Sequence, residues 1–189
     1  MNKSATKPNQ TYLKATKSLV ALAFVFQFMA GSTAYASEIN FENVANLINQ
    51  ERVENDLPKL KINSDLSNAA SLKSKDMINR HYFEHFAYDL TPWDFVHMAG
   101  YDYLYAGENL AMDFSTTEGM VSAWMNSETH RDNILNPDYT EMGLGIVKGE
   151  YTENNSIHQT YMVTNMFGRK KPAIVKAFDF VAKNVFSIF

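Results

Sequence analysis

Apolar positions recur at helical spacing through much of this chain and switch toward alternation only beyond Pro137. Phe41, Val44, Ala45, Ile48 and Glu51 share one face of a 3.6-residue period, so Asn40 to Asn55 reads as an amphipathic helix that Leu57-Pro58 ends. Leu60 and Ile62 read as an extended connector with inward side chains. Ser64-Asp65 is a capping start for a second helix, with Leu66, Ala69, Ala70, Met77 and Ile78 inward and an end near Asn79-Arg80. Thr91-Pro92-Trp93-Asp94 supplies an N-cap, a proline at the first helical position and an acid in the first turn, for a short helix ending at Gly100. Ser115-x-x-Glu118 reads as a capping box that opens a helix through Met120, Val121, Trp124 and Met125. Met142 to Val147 and Ile157 to Phe167 predict strands joined through the polar turn Glu153-Asn-Asn-Ser156. Helices first and a small antiparallel sheet late make the class α+β.

The two ends differ in character from this core. Lys3, Lys7, Lys14 and Lys17 precede an apolar run from Ser18 to Ala30, and Ala34-Tyr35-Ala36 follows as an A-x-A site. That order predicts a secretory signal peptide over 1–36, cleaved after Ala36, and a secreted, extracellular protein. The run is short of the roughly 20 residues that span a bilayer. At the other end, Arg169-Lys170-Lys171-Pro172 is a basic break, after which Ile174, Ala177, Phe178, Val181, Val185 and Ile188 keep helical spacing. A helix over 173–189 would either pack back on the domain or meet a membrane surface or protein partner peripherally. The division is therefore a leader over 1–36, a domain over 37–168, and a basic break with an amphipathic helix over 169–189.

Composition narrows the function. A chain of 189 residues that is 46% hydrophobic can bury one sizeable core. The absence of cysteine excludes a disulfide scaffold, a thiolate metal site and a cysteine nucleophile. Lys and Arg number 17 against 21 Asp and Glu, a net charge of −4, and four of those basic residues but no acid lie in the leader. An acidic domain of this kind is not expected to bind nucleic acid.

Chemistry has five histidines to draw on. His97 and His158 read as surface or structural residues. His81-Tyr-Phe-Glu84-His85 formally matches H-x-x-E-H, a zinc-peptidase signature that needs both imidazoles on one face of a continuing helix. The helical pattern fades at Asn79-Arg80, and Tyr82-Phe83 look like inward anchors of a turn, so this reading is the weaker one. Two other stretches are denser in chemistry. Ala106-Gly-Glu108-Asn109-Leu-Ala111 follows the aromatic run Tyr101-Asp-Tyr103-Leu-Tyr105, and Trp124-Met-Asn-Ser127-Glu128-Thr-His130-Arg131-Asp-Asn133-Ile-Leu135 comes later. The three tyrosines read as core first and as the lining of a ligand groove second.

Taken in series with Asn49-Gln-Glu-Arg52, Leu57-Pro-Lys-Leu60, Phe83-Glu-His85 and Gly143-Leu-Gly145, these stretches resemble the CAP superfamily (SCP/TAPS), the proteins grouped as cysteine-rich secretory, antigen 5 and pathogenesis-related-one, in its disulfide-free bacterial secreted branch. The resemblance runs from about Phe41 to Gly168. It implies a three-layer α-β-α sandwich with a cleft holding two histidines and acidic residues. His85 matches the first histidine, Glu108 the glutamate after glycine, and His130 the second histidine. The family's second glutamate falls at Ser127, beside Glu128, which would reach the cleft only if the helix unwinds there. His85, Glu108 and His130 read either as a buried hydrogen-bonded network that holds the cleft or, with a weakly bound divalent cation such as Zn²⁺, as its ligands. The implied role is binding of an extracellular ligand or protein partner. The competing reading is a metal-assisted hydrolase in which Glu108 acts as general base, or His130 activates Ser127. Arg131, Asn133 and Asn109 read as structural residues that pair with carboxylates or loop carbonyls.

Overall fold

Side-chain caps set most helix starts. In the computed structural model, which describes residues 36–175, Asn40 accepts the Asn43 N–H at the start of α1 (Phe41–Glu54), and Val44, Ala45, Ile48 and Arg52 form its buried face. The two-residue strand β1 (Lys61–Ile62) follows. Asn63 then caps α2 (Ser64–Arg80), which ends at His81 in the left-handed conformation, φ 54°. Thr91 and Asp94 form the expected reciprocal capping box on α3 (Pro92–Met98), and Gly100 at φ 80° turns the chain into β2 (Tyr103–Met112). Next come α4 (Thr117–Asn126), α5 (Glu128–Ile134), β3 (Glu141–Glu153) and β4 (Ser156–Lys170). The readings of 1–35 as a leader and of 176–189 as a helix lie outside the described residues.

The strands form one sheet in the order β1-β3-β4-β2. β4 pairs antiparallel with both long neighbours, and only the short β1 runs parallel to β3. Alternation along β4 builds two layers of core. Val163 and Phe167 join α1, α4 and α5 on one face, while Met162 and Met166 join α2 and α3 on the other. The result is the three-layer α-β-α sandwich. Gly143 and Gly145 let α2 lie directly on β3: a Cβ on either would strike the helix backbone at Leu66–Ser67 or Ala70–Ser71.

Local expectations fail in four places. Ala106 to Ala111 carries little strand propensity, yet it lies within β2, held by a ladder to β4 that runs from Ala106↔Gly168 to Met112↔Met162. The cap of α4 is Thr116 rather than Ser115, and Glu118 instead accepts from the backbone N–H of Ser37 at 3.0 Å. Phe41, Ile62 and Phe83, expected inward, are exposed, whereas Tyr82 is buried. Tyr101 is core, donating to Glu141 at 2.7 Å, but Tyr105 is exposed and none of Tyr101, Tyr103 and Tyr105 lines the cavity described next.

Candidate functional site

β2 is an edge strand, so alternate carbonyls point away from the sheet and need donors. Side chains supply them. Tyr139 Oη donates to Ala106 O at 3.1 Å, Asn133 Nδ2 to Glu108 O at 3.1 Å, and Trp124 Nε1 to Leu110 O at 2.9 Å. Gly107 makes this possible. A Cβ there would collide with the Tyr139 hydroxyl and lie 2.8 Å from Asn133 Oδ1. Asn133 also donates to Asn109 Oδ1, whose own amide donates to the His130 carbonyl at 3.0 Å. These residues dock α5 against one side of the strand.

The other side of β2 carries Glu108. Strand alternation puts it with Leu110 and Met112, toward α2 and the segment that follows it. There His85 Nδ1 lies 2.6 Å from Glu108 Oε1. The two are unequally exposed: the Glu108 side chain is 2% accessible and that of His85 44%. Glu108 Oε2 is buried without a hydrogen-bond partner. A cavity of about 260 Å³ opens at this point. Its walls come from both faces of the sheet, with His85, Pro92 and Trp93 on one side and Asn133 and Tyr139 on the other. The capping box on α3 thus has a role here, because it fixes the turn that presents Pro92 and Trp93.

Burial raises the Glu108 pKa, and the His85 hydrogen bond, the charge of Lys73 and the charge of His85 oppose that rise. Burial lowers the pKa of His130, and the nearby charge of His85 lowers it further. His130 is therefore neutral at neutral pH, the form that binds metals. Among the described residues, no three His, Asp and Glu side chains gather around one point that could hold a metal ion.

The other candidates stand apart. The helix does break at Ser127 (φ −95°, ψ 122°), but Glu128 is exposed at the start of α5, with no bond to His85, Glu108 or His130. Ser127 Oγ lies 3.4 Å from Thr129 Oγ1 and is not bonded to His130. His81 accepts from the Thr152 N–H at 3.1 Å, so it faces β3 while His85 faces Glu108. The H-x-x-E-H match therefore places no two imidazoles on one helix face. His158 pairs with Asp113 at 3.0 Å, and His97 is exposed with its ring 5.4 Å from Tyr103. Arg131 donates to the Met125 carbonyl at 3.2 Å, which is the structural role expected of it.

Two residues went unnoticed in the sequence. Tyr139 gave no signal of its own. Lys73 did, since it falls on the inward stripe of α2 among Ala69, Ala70 and Met77, where a lysine is out of place.

Residues 45–166 match the family model described as the cysteine-rich secretory protein family, CAP. The uncharacterized protein YkwD of Bacillus subtilis is 43% identical over 117 residues, 61% of this chain and 44% of that protein. An extracellular protein containing an SCP domain from Bacillus anthracis superposes with a TM-score of 0.58 at 31% identity, covering 68% of this chain and 40% of that one. An outer surface protein of Borrelia burgdorferi gives a TM-score of 0.56 over 72% of this chain and 100% of that one, and at 21% identity this is a likeness of fold alone. The chain spans less than half the length of the two Bacillus proteins it matches. None of the described helices is long and apolar enough to cross a membrane.

Proposed function

This chain belongs to the cysteine-rich secretory protein (CAP) family, and on that premise we propose that it acts outside the cell as a binding module. Its His85–Glu108 cleft receives a ligand or a segment of a partner protein, with a weakly held divalent cation such as Zn²⁺ at His85 and His130. The observation that carries this reading is the buried Glu108 carboxylate on His85 Nδ1 at the mouth of an open cavity. A carboxylate in that position fixes the proton on Nδ1 and leaves Nε2 as an electron-pair donor, as it does behind metal-binding histidines. Glu108 then contributes to a cation site by backing His85. Two imidazoles and water make a weak site, in keeping with the absence of a third gathered ligand among the described residues. The extracellular placement draws on the leader pattern before Ser37 and on the described location of the Bacillus anthracis protein.

Calorimetric titration of Zn²⁺ into the chain from Ser37, beside His85→Ala/His130→Ala, tests this. One saturable site absent from the double variant is expected. Equal binding by both proteins would place the cation elsewhere.

A hydrolase is the second reading, favoured by the burial that raises the Glu108 pKa, the direction in which a carboxylate becomes a stronger general base. It requires peptide or ester turnover that a chelator abolishes and Zn²⁺ restores. Turnover insensitive to chelation would remove it.

A further inference from the structure

Lys73 is 0% exposed. Burying an ammonium is costly unless it is paired, and the ion pairs among the described residues do not include it. Its Nζ instead donates to the His85 carbonyl at 2.9 Å and to Tyr82 Oη at 3.4 Å, and Tyr82 in turn donates to Asp76 at 2.7 Å. It also lies 4.9 Å from the centre of the Tyr82 ring and 5.3 Å from that of Phe95. Burial lowers the Lys73 pKa, while the charge of Glu108, followed by those of Asp76 and Glu84, raises it. A methionine would fill the same space without the desolvation penalty. What the amine adds is a donor aimed at the main chain of the cleft histidine.

That main chain needs an anchor. Residues 81–91 join α2 to α3 without regular structure beyond the Ala87–Leu90 bridge. His81, Tyr88 and Asp89 hold φ values of 54°, 54° and 59°, a region that side-chain-bearing residues seldom occupy. The segment thus follows a path it does not favour by itself, and His85 lies between its strained points.

We infer that Lys73 is a positioning residue of the cleft: it holds the His85 carbonyl from the buried side of α2, so that Nδ1 meets Glu108 and Nε2 is presented as a lone pair. The site then selects cations and hydrogen-bond donors over anions. The value of a presented Nε2 rests on the function proposed above, but the ring orientation does not.

The experiment is long-range ¹H–¹⁵N spectroscopy of the histidine rings, with no metal present and at mildly alkaline pH. The native chain is expected to show one His85 tautomer with its proton on Nδ1. Lys73→Met is expected to mix the tautomers and weaken Zn²⁺ binding about tenfold, the low end for residues that orient a metal ligand. Lys73→Arg, which keeps the charge and the donors, is expected to restore a single tautomer. A folded Lys73→Met that keeps the native tautomer and the native affinity would overturn the proposal. Should that variant not fold by circular dichroism, the native Lys73 ammonium decides. A slowly exchanging signal supports the anchor, and a rapidly exchanging one refutes it. If the native chain binds no Zn²⁺, the cation reading fails while the tautomers still judge Lys73.

Discussion

Arg52 and Lys73 are the two fully buried cations of this domain's described residues, one on each side of the sheet, and they are treated differently. Arg52, in the last turn of α1, donates through Nε to Pro58 O at 2.9 Å and through Nη1 to Ile134 O and Asn136 O at 2.7 and 2.9 Å. Nη2 approaches Tyr139 O at 3.5 Å. Every acceptor is a backbone carbonyl, so one side chain ties α1 to the connector before β1, the end of α5 and the approach to β3. Lys73 meets one carbonyl and one hydroxyl, and near it Glu108 keeps an oxygen with no partner. Buried polar groups are normally satisfied, and the exceptions concentrate where a structure does something. The Arg52 network itself is closed scaffold, although Asn165 Oδ1 on the same face of the sheet also lacks a partner. The Lys73 side is left incomplete where it opens at the edge of β2.

The sharpest way to break this contrast is Arg52→Met, which strips the donor from four carbonyls at once. A loss of about 3 kcal/mol in urea denaturation is expected, because each buried carbonyl left without a donor costs about 1–3 kcal/mol. A loss under about 1 kcal/mol would mean that the network does not hold the scaffold. Gly107→Ala comes next. Its methyl group must displace Tyr139 and Asn133 from the strand edge, at about 1–3 kcal/mol, and the cleft should lose its cation site with them. Unchanged thermal stability and binding would show that the edge tolerates the shift. Thr91→Ala removes the capping box of α3 and should cost about 1 kcal/mol, measurable as a lowered midpoint, with a smaller effect on binding than Gly107→Ala.

Glu108→Gln should change stability least and function most. It keeps the shape, removes a buried charge, and is expected to weaken Zn²⁺ binding about 10–100-fold. The pH dependence of stability gives a second readout. Because the Glu108 pKa is raised on folding, the native state holds that proton more tightly than the unfolded chain does. Its contribution is therefore complete below the ordinary glutamate value and is lost as pH rises through the raised one. Glu108→Gln should flatten that decline. His130 runs oppositely, since its depressed pKa makes stability fall as pH drops below the ordinary histidine value. A Glu108→Gln variant with the native pH profile would show that Glu108 titrates like an exposed residue.

Helix stripes are legible because they are local, and so is the cap of α3; the caps of α2 and α4 are Asn63 and Thr116, each one residue away from the expected Ser64 and Ser115. Thr91, Pro92 and Asp94 state their structure within four residues. β2 was not legible, because Ala-Gly-Glu-Asn becomes a strand only through its ladder to β4, a partner more than fifty residues away. His85, Glu108 and His130 came from the family resemblance. No local pattern joins them: His85 meets Glu108 from the segment after α2, and His130 lies in α5, its carbonyl accepting from Asn109 across the edge strand. Arg52 and Lys73 sit at correct helical intervals, four residues after Ile48 and Ala69, but periodicity reads apolar residues and passes over a buried charge. Glu128 can enter the cleft only if the helix unwinds at Ser127. The helix does break there, and Glu128 still faces solvent.

The central claim is that the incomplete polar side of this domain is a cation-assisted binding cleft, and zinc-edge anomalous diffraction from crystals grown with Zn²⁺ tests it most directly. One strong peak is expected between His85 Nε2 and His130, with Glu108 still on His85 Nδ1. Strong peaks confined to surface carboxylates, with His85 and His130 bare, would contradict it.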